Sequence, residues 1–190
     1  MSPNLVLAST VLLLAFVHLS VVDGVYLHLW RYRLHAREES RHEHWLHTAR
    51  AVLFPPILAT LFLAPPRGVV LWFGLALVAL DQVVELFDTF SERDSRAALG
   101  GLSSFEYSLH VVLTTLRVGA LALALAAVPP EAWSPWAPSV PGQAHPAFVR
   151  AAVEFLLPGA IVAAVVHLWL GCKASAQPAC RWTRAWARMG

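Results

Sequence analysis

Asp81, Glu85, Asp88 and Glu92 fall at i, i+4, i+7 and i+11 in the stretch LDQVVELFDTFSERDSR. At 3.6 residues per turn they line one stripe of a helix. They close an apolar run, 68–80, that reads as membrane helix. A carboxylate near mid-bilayer costs roughly 2.5–3.5 kcal/mol on insertion scales, so such groups face a bundle interior and take partners. A stripe of them is either a site or a costly structural network. Nine histidines accompany these acids, and mixed imidazole and carboxylate donors suit zinc or non-haem iron.

Glu106, His110, Thr114 and Arg117 form a second stripe at the same helical spacing. Counting about 1.5 Å per residue from the membrane surface puts His110 level with Glu85, and Arg117 close to Asp81. The ligand candidates are therefore Glu85, Asp88, Glu106, His110 and His47, with His44, Asp23 and His167 as supporting groups or alternative ligands. An Asp81–Arg117 ion pair is expected to hold two helices in register, since a deep guanidinium takes a carboxylate as its paired acceptor. Known metal motifs are missing. Glu106 and His110 are four apart, where bundle di-iron sites use Glu-x-x-His, and Glu43-His44-x-x-His47 is not His-Glu-x-x-His. The metal reading rests on clustering alone.

Three other readings compete. An ion-pair network can fix helix register without a ligand, with Arg93 or Arg96 neutralising Asp88 or Glu92, although buried pairs often fail to recover their desolvation cost. Carboxylate and histidine chains also relay protons, but the outer halves of these helices are nearly uncharged. Haem ligation by His110 with His167 or His18 would set an apolar macrocycle among carboxylates, and no Cys-x-x-Cys-His occurs.

The elements that must position these groups are membrane helices. Of 190 residues, 57% are hydrophobic and 14% charged, with a mean hydropathy of +0.58. That composition excludes an ordinary soluble domain, and a net charge of +2 gives no reason to expect nucleic acid. The expected fold is all-α: five transmembrane helices at about 4–30, 46–64, 69–91, 104–128 and 147–171 in one integral membrane domain, 1–190. The apolar start has no basic segment before it and reads as an uncleaved first span. Ser103 or Ser104 with Glu106 marks a helix start.

Basic residues orient the bundle. Arg31, Arg33, Arg37, Arg41 and Arg50 flank the first inner loop, Arg93 and Arg96 lie in the second, and Lys173, Arg181, Arg184 and Arg188 follow the last span. Arg67 alone sits in an opposite loop. The N-terminus is thus expected outside and the C-terminus in the cytoplasm, at the inner membrane if the cell is bacterial. The tail, 172–190, alternates Trp182 and Trp186 with arginines and suits an amphipathic helix in the headgroup layer. Cys172 and Cys180 lack zinc-finger spacing and read as free thiols.

Some features read blandly. His28, His35 and His42 recur every seven residues among arginines, as on a solvated inner-surface face, and His145 reads as a loop residue. Arg150 and Glu154 are spaced to pair with each other. Pro55-Pro56 removes two amide donors and marks either a break in a packed helix or the wall of a cavity. The functional expectation is a metal-dependent membrane enzyme acting at the inner leaflet on a lipid or other apolar substrate. The runner-up readings are a non-enzymatic subunit with a structural polar core, or a proton- or ion-conducting protein. Reporter fusions after Trp30 and after Gly190 should both read cytoplasmic, and fusions near Ser134 external; an external C-terminus would overturn the depth assignments.

Overall fold

The computed structural model describes residues 2–97, 100–140 and 142–176, which are helical with short connections and contain no strand. Helix α1 (Pro3–Val21) runs without a break into a π-helical segment, Val22–Arg31, and a 3-10 turn, Leu34–Ala36. Then come α2 (Arg41–Leu61), α3 (Gly68–Ala97), α4 (Ser104–Ala126), a second 3-10 turn (Pro130–Trp133) and α5 (Ala147–Ala176). Ser103 caps α4, its hydroxyl accepting the Glu106 backbone N–H at 3.2 Å.

Four segments are long and apolar enough to cross a membrane: Pro3–Ala36, Gly68–Ala97, Ser104–Ala126 and Ala147–Ala174. Helix α2 is not among them because its first half, RHEHWLHTAR, is polar. Apolar side chains point outward along the helices. Phe87, Phe90, Phe155, Val162 and Trp169 are all more than half exposed, as expected where lipid replaces water as the surrounding medium. Such a surface is compatible with integral membrane localisation. The expected tail helix lies outside the described residues from 177 onward.

Packing is uneven around the bundle. Helix α1 packs along α4 and more lightly on α5, while α2 packs along α3 and α5. The helices therefore form a curved row, α4–α1–α5–α2–α3. Its two ends, α3 and α4, have hardly any close backbone approach among the described residues. Side chains bridge the gap instead: Glu92 to His110, Arg96 to Glu106, Arg117 to Asp81.

Along the bundle axis the composition changes. The outer half is an apolar core of Leu13, Leu58, Leu61, Leu71, Ala120 and Val153. Pro55 and Pro56 leave α2 unbroken, and Phe54, Ile57 and Leu58 pack into that core, which favours the packed-helix reading. The inner half is polar. Helix α3 continues past 91, where its span was expected to stop, because Glu92, Ser95 and Arg96 turn inward to partners. His145, a loop residue as expected, is buried. Burial pushes its imidazole below the ordinary 6.5, against the bond it makes to the Ala64 backbone.

The outer loop is tied to α3 at one glycine. Gly68 has φ +54°, and a Cβ there would lie 2.5 Å from the Ala137 carbonyl oxygen. Trp72 Nε1 donates to the Trp133 carbonyl at 2.9 Å on the same side. Gly68→Ala should destabilise the protein by about 1–3 kcal/mol, read as thermal unfolding in detergent. Gly159→Ala, which meets nothing within 4 Å, should not. Equal behaviour of the two variants would show that the loop seat carries no weight.

Candidate metal centre

The site begins with the π-helical turn. In an α-helix, residues five apart point about 140° away from each other. The i→i+5 ladder of a π-helix instead stacks them, and such turns are frequent at functional sites. Asp23 and His28 are thereby brought to one buried face, and His28 Nε2 lies 3.5 Å from Asp23 Oδ1. Ordinary α-helical spacing places the other groups. Glu43 and His47 are one turn apart on α2, Asp88, Glu92 and Arg96 share a face of α3, and Glu106 and His110 share a face of α4.

Two groups of donors result, each with all its ligand atoms within 4.8 Å of one another: Asp23, His28 and His110; and His28, Glu43 and His47. His110 Nε2 is 3.1 Å from Asp23 Oδ1. His47 Nε2 is 3.8 Å from Glu43 Oε1 and 3.2 Å from Asp88 Oδ2. The His28 ring stands edge-on between the other two imidazoles, 4.3 Å from His47 and 5.9 Å from His110.

A buried guanidinium braces this assembly. Arg96 has no exposed surface, and its Nη1 donates to Glu43 Oε2 at 2.8 Å while its Nε donates to Glu106 Oε1 at 2.8 Å. Its plane lies 5.0 Å from the Tyr32 ring, and Ser95 donates to the same Glu43 carboxylate. Farther into the bundle, Arg117 pairs with Asp81 and Glu85 and donates to Gln82 Oε1 at 2.6 Å. Arg50 reaches Asp81 at 3.4 Å, Glu85 at 3.6 Å and Asp88 at 3.6 Å. The inner half thus encloses Asp23, Glu43, Asp81, Glu85, Asp88, Glu92 and Glu106 against Arg50, Arg96 and Arg117.

Several buried donor atoms have no hydrogen bond. They include both ring nitrogens of His28, Glu43 Oε1, Asp88 Oδ1 and Glu106 Oε2, whereas His47 Nε2 and His110 Nδ1 face carboxylates of Asp88 and Glu92 at 3.2 and 3.0 Å. Native proteins leave few such atoms, and a cluster of them is compatible with bound water or an ion. Ligands 2.0–2.2 Å from a tetrahedral ion stand about 3.3–3.6 Å apart, so the 3.1–3.8 Å separations among these nitrogens and oxygens fit a metal's coordination sphere. Nitrogen and carboxylate oxygen are the donors that zinc and non-haem iron accept.

The expected ligands divide three ways. His47, His110 and Asp23 belong to the two donor groups, and Asp88 lies beside His47. Glu106 is at their edge, held by Arg96, and Glu85 belongs to the Arg117 and Arg50 cluster. His44 and His167 form a separate pair, with His44 Nε2 3.2 Å from the His167 carbonyl oxygen and the rings stacked at 5.4 Å.

Four expectations need correction. His28 is 2% exposed at the centre of the site, not on a solvated face. Arg96 is inside α3 and turns to Glu43 and Glu106, leaving Arg93 exposed beside Asp94. Arg50, expected to flank the first inner loop, is drawn into the acidic cluster. Arg150 and Glu154 are both exposed and form no ion pair among those of the described residues. The donors that sequence reasoning missed are His28 and Glu43. Glu43 was visible as an i, i+4 partner of His47, whereas His28 was hidden because five is not an α-helical spacing.

No family model matches the chain, and neither a curated protein nor a solved structure resembles it. Arg96→Met should cost about 3–5 kcal/mol in thermal unfolding, because it strands two carboxylates out of water. Arg96→Lys should fall between, since an ammonium cannot make the forked contact. A loss under about 1 kcal/mol would mean that another cation or a proton already neutralises Glu43 and Glu106.

Proposed function

We propose that this is a five-span integral membrane protein, N-terminus outside and C-terminus cytoplasmic, that holds a transition-metal ion in the inner half of its bundle. The ion is zinc or non-haem iron, and the protein uses it as an enzyme on a lipid or other apolar substrate at the inner leaflet. One observation carries the reading: imidazole and carboxylate atoms from three helical segments lie within 4.8 Å of one another in two groups, and His28 Nε2 and Glu43 Oε1 among them lack a hydrogen bond. His28 with Asp23 and His110, or with Glu43 and His47, would hold the ion. Either set gives three protein ligands and leaves a position for substrate or water, as catalytic metal sites do.

When bound, such an ion supplies Lewis acidity or, for iron, redox chemistry. The chain's own residues do the rest. Arg96 fixes the Glu43 and Glu106 carboxylates, and the Asp81–Arg117–Glu85 cluster floors the site toward the membrane centre. The gap between α3 and α4 offers the approach. Gln82 and Thr114 are exposed there, and Thr114 Oγ1 donates to Glu85 Oε1 at 2.7 Å. A headgroup sliding in from the bilayer would meet hydroxyl, amide and carboxylate groups before the imidazoles. A fifth span follows from α2, whose apolar second half packs between α3 and α5.

The runner-up, a membrane subunit with a structural polar core, draws support from the same guanidinium clusters, which bind helices together without any ion. Elemental analysis of detergent-purified protein separates the two. Near-stoichiometric zinc or iron is expected, falling sharply in His28→Ala and unchanged in His145→Ala. Lipid extracts from cells making wild-type protein should then differ from those of His28→Ala cells by mass spectrometry. Negligible metal from several growth media would sink the metal reading and leave the structural one.

A further inference from the structure

We infer that a second site, on the α5 side of α2, holds the headgroup of an anionic phospholipid from the inner leaflet. It rests on the membrane orientation proposed above and not on the metal reading. The 3-10 turn Leu34–Ala36 packs against both α2 and α5, and three imidazoles come into a row there. The His44 ring lies 5.8 Å from that of His35 and is stacked on that of His167 at 5.4 Å. His44 is 2% exposed, and its Nε2 donates to the His167 carbonyl oxygen at 3.2 Å, which ties α2 to α5 at this level. Trp45 closes the same contact, since a Cβ at Gly171 would stand 3.0 Å from its ring.

The surroundings of this row are cationic. The charged groups acting on its rings are Arg33 and Lys173, both exposed, and the imidazoles themselves, with no carboxylate. Among the described residues neither Arg33 nor Lys173 forms an ion pair, whereas Arg50, Arg96 and Arg117 all do. His35 Nδ1 and His167 Nδ1 are buried and make no hydrogen bond. Buried polar atoms without a partner are rare, and each ring can carry its proton on that nitrogen. A phosphate beside the turn would accept from the rings and meet the two unpaired charges at once.

The flank of the site is apolar, which points to a lipid rather than a soluble anion. Leu168 and Trp169 are 41% and 59% exposed on α5, where acyl chains lie. Lys173 Nζ stands 5.1 Å from the Trp169 ring, and tryptophan with a basic neighbour is the usual pairing at headgroup level. His167 is one and a half turns before Lys173, about 9 Å deeper along the helix. Basic pockets between helices on the cytoplasmic side take anionic headgroups in this way. Helix α5 is the middle of the row, opposite the gap between α3 and α4. The lipid held here is therefore a resident one, separate from a substrate entering through that gap.

The test uses the full-length protein, delipidated in detergent and titrated with dioleoylphosphatidylglycerol or dioleoylphosphatidylcholine. Native mass spectrometry counts the bound lipid. The first phosphatidylglycerol should bind about tenfold more tightly than phosphatidylcholine, and Arg33→Gln and Lys173→Met should each weaken it about fivefold, as expected of one basic residue beside an anionic lipid. Both side chains are exposed, so helical content by circular dichroism should hold. Arg150→Gln, at the outer end of α5, should leave the affinity unchanged, as should Arg181→Gln, Arg184→Gln and Arg188→Gln made together. Equal affinity for the two lipids would overturn the inference. So would a loss in Arg150→Gln equal to that in Lys173→Met, or a loss confined to the tail variant. Displacement of the lipid by millimolar inorganic phosphate would assign the pocket to a free anion and overturn the lipid. None of these outcomes changes the metal content, which tests the metal reading separately.

Discussion

A guanidinium that water cannot reach must be neutralised where it stands, and Arg96 sets that constraint for the whole inner half. Its two hydrogen-bonded carboxylates come from different helices, Glu43 on α2 and Glu106 on α4, while Arg96 itself ends α3. Three helices are thereby fixed at one level, to within hydrogen-bond tolerance, by charge rather than by shape. Hydrophobic packing could not do this. Lipid tails are as apolar as the helix surfaces, so apolar contacts in a membrane favour association without dictating register. The apolar outer core fills space between helices whose axial positions are set at the polar end.

Much of this was legible in the sequence because helices are periodic. The 3.6-residue repeat put Asp81, Asp88 and Glu92 on one face, and the rise per residue put Arg117 beside Asp81. The all-helical character and the apolar segments were likewise legible from composition. Other features were not. His28 joins Asp23 only because the helix between them widens to an i→i+5 ladder, and nothing in VDGVYLHLWR announces that change. Arg96 was misplaced because arginine near a membrane surface usually reaches for water. Here two carboxylates on neighbouring helices offer a stronger alternative, and α3 lengthens to deliver it. Arg50 was misread for the same reason. Local sequence reports what a side chain prefers alone, whereas these three respond to partners far away in the chain.

The contrast between the two halves also explains the open row of helices. Four neighbouring pairs along the row pack backbone to backbone, while α3 and α4 meet through long polar side chains. Such a contact keeps the helices apart, since carboxylates, imidazole and guanidinium fill the space that small residues would close. The donor groups therefore lie beside a seam where, among the described residues, polar groups such as Gln82 and Thr114 are exposed.

That seam has a consequence for how the protein is assembled during synthesis. Helices emerge from the ribosome in order, and α1 brings Asp23 and His28 into the membrane first. Their imidazole neighbour His110 is made 87 residues later, and Glu43 waits through all of α3 for Arg96. No consecutive pair of helices is chemically complete on its own. The polar groups of α1 and α2 lack part of their partners until α4 has been made. The cluster can therefore close only late in synthesis, because a nascent chain shorter than 110 residues lacks the imidazole that Asp23 meets.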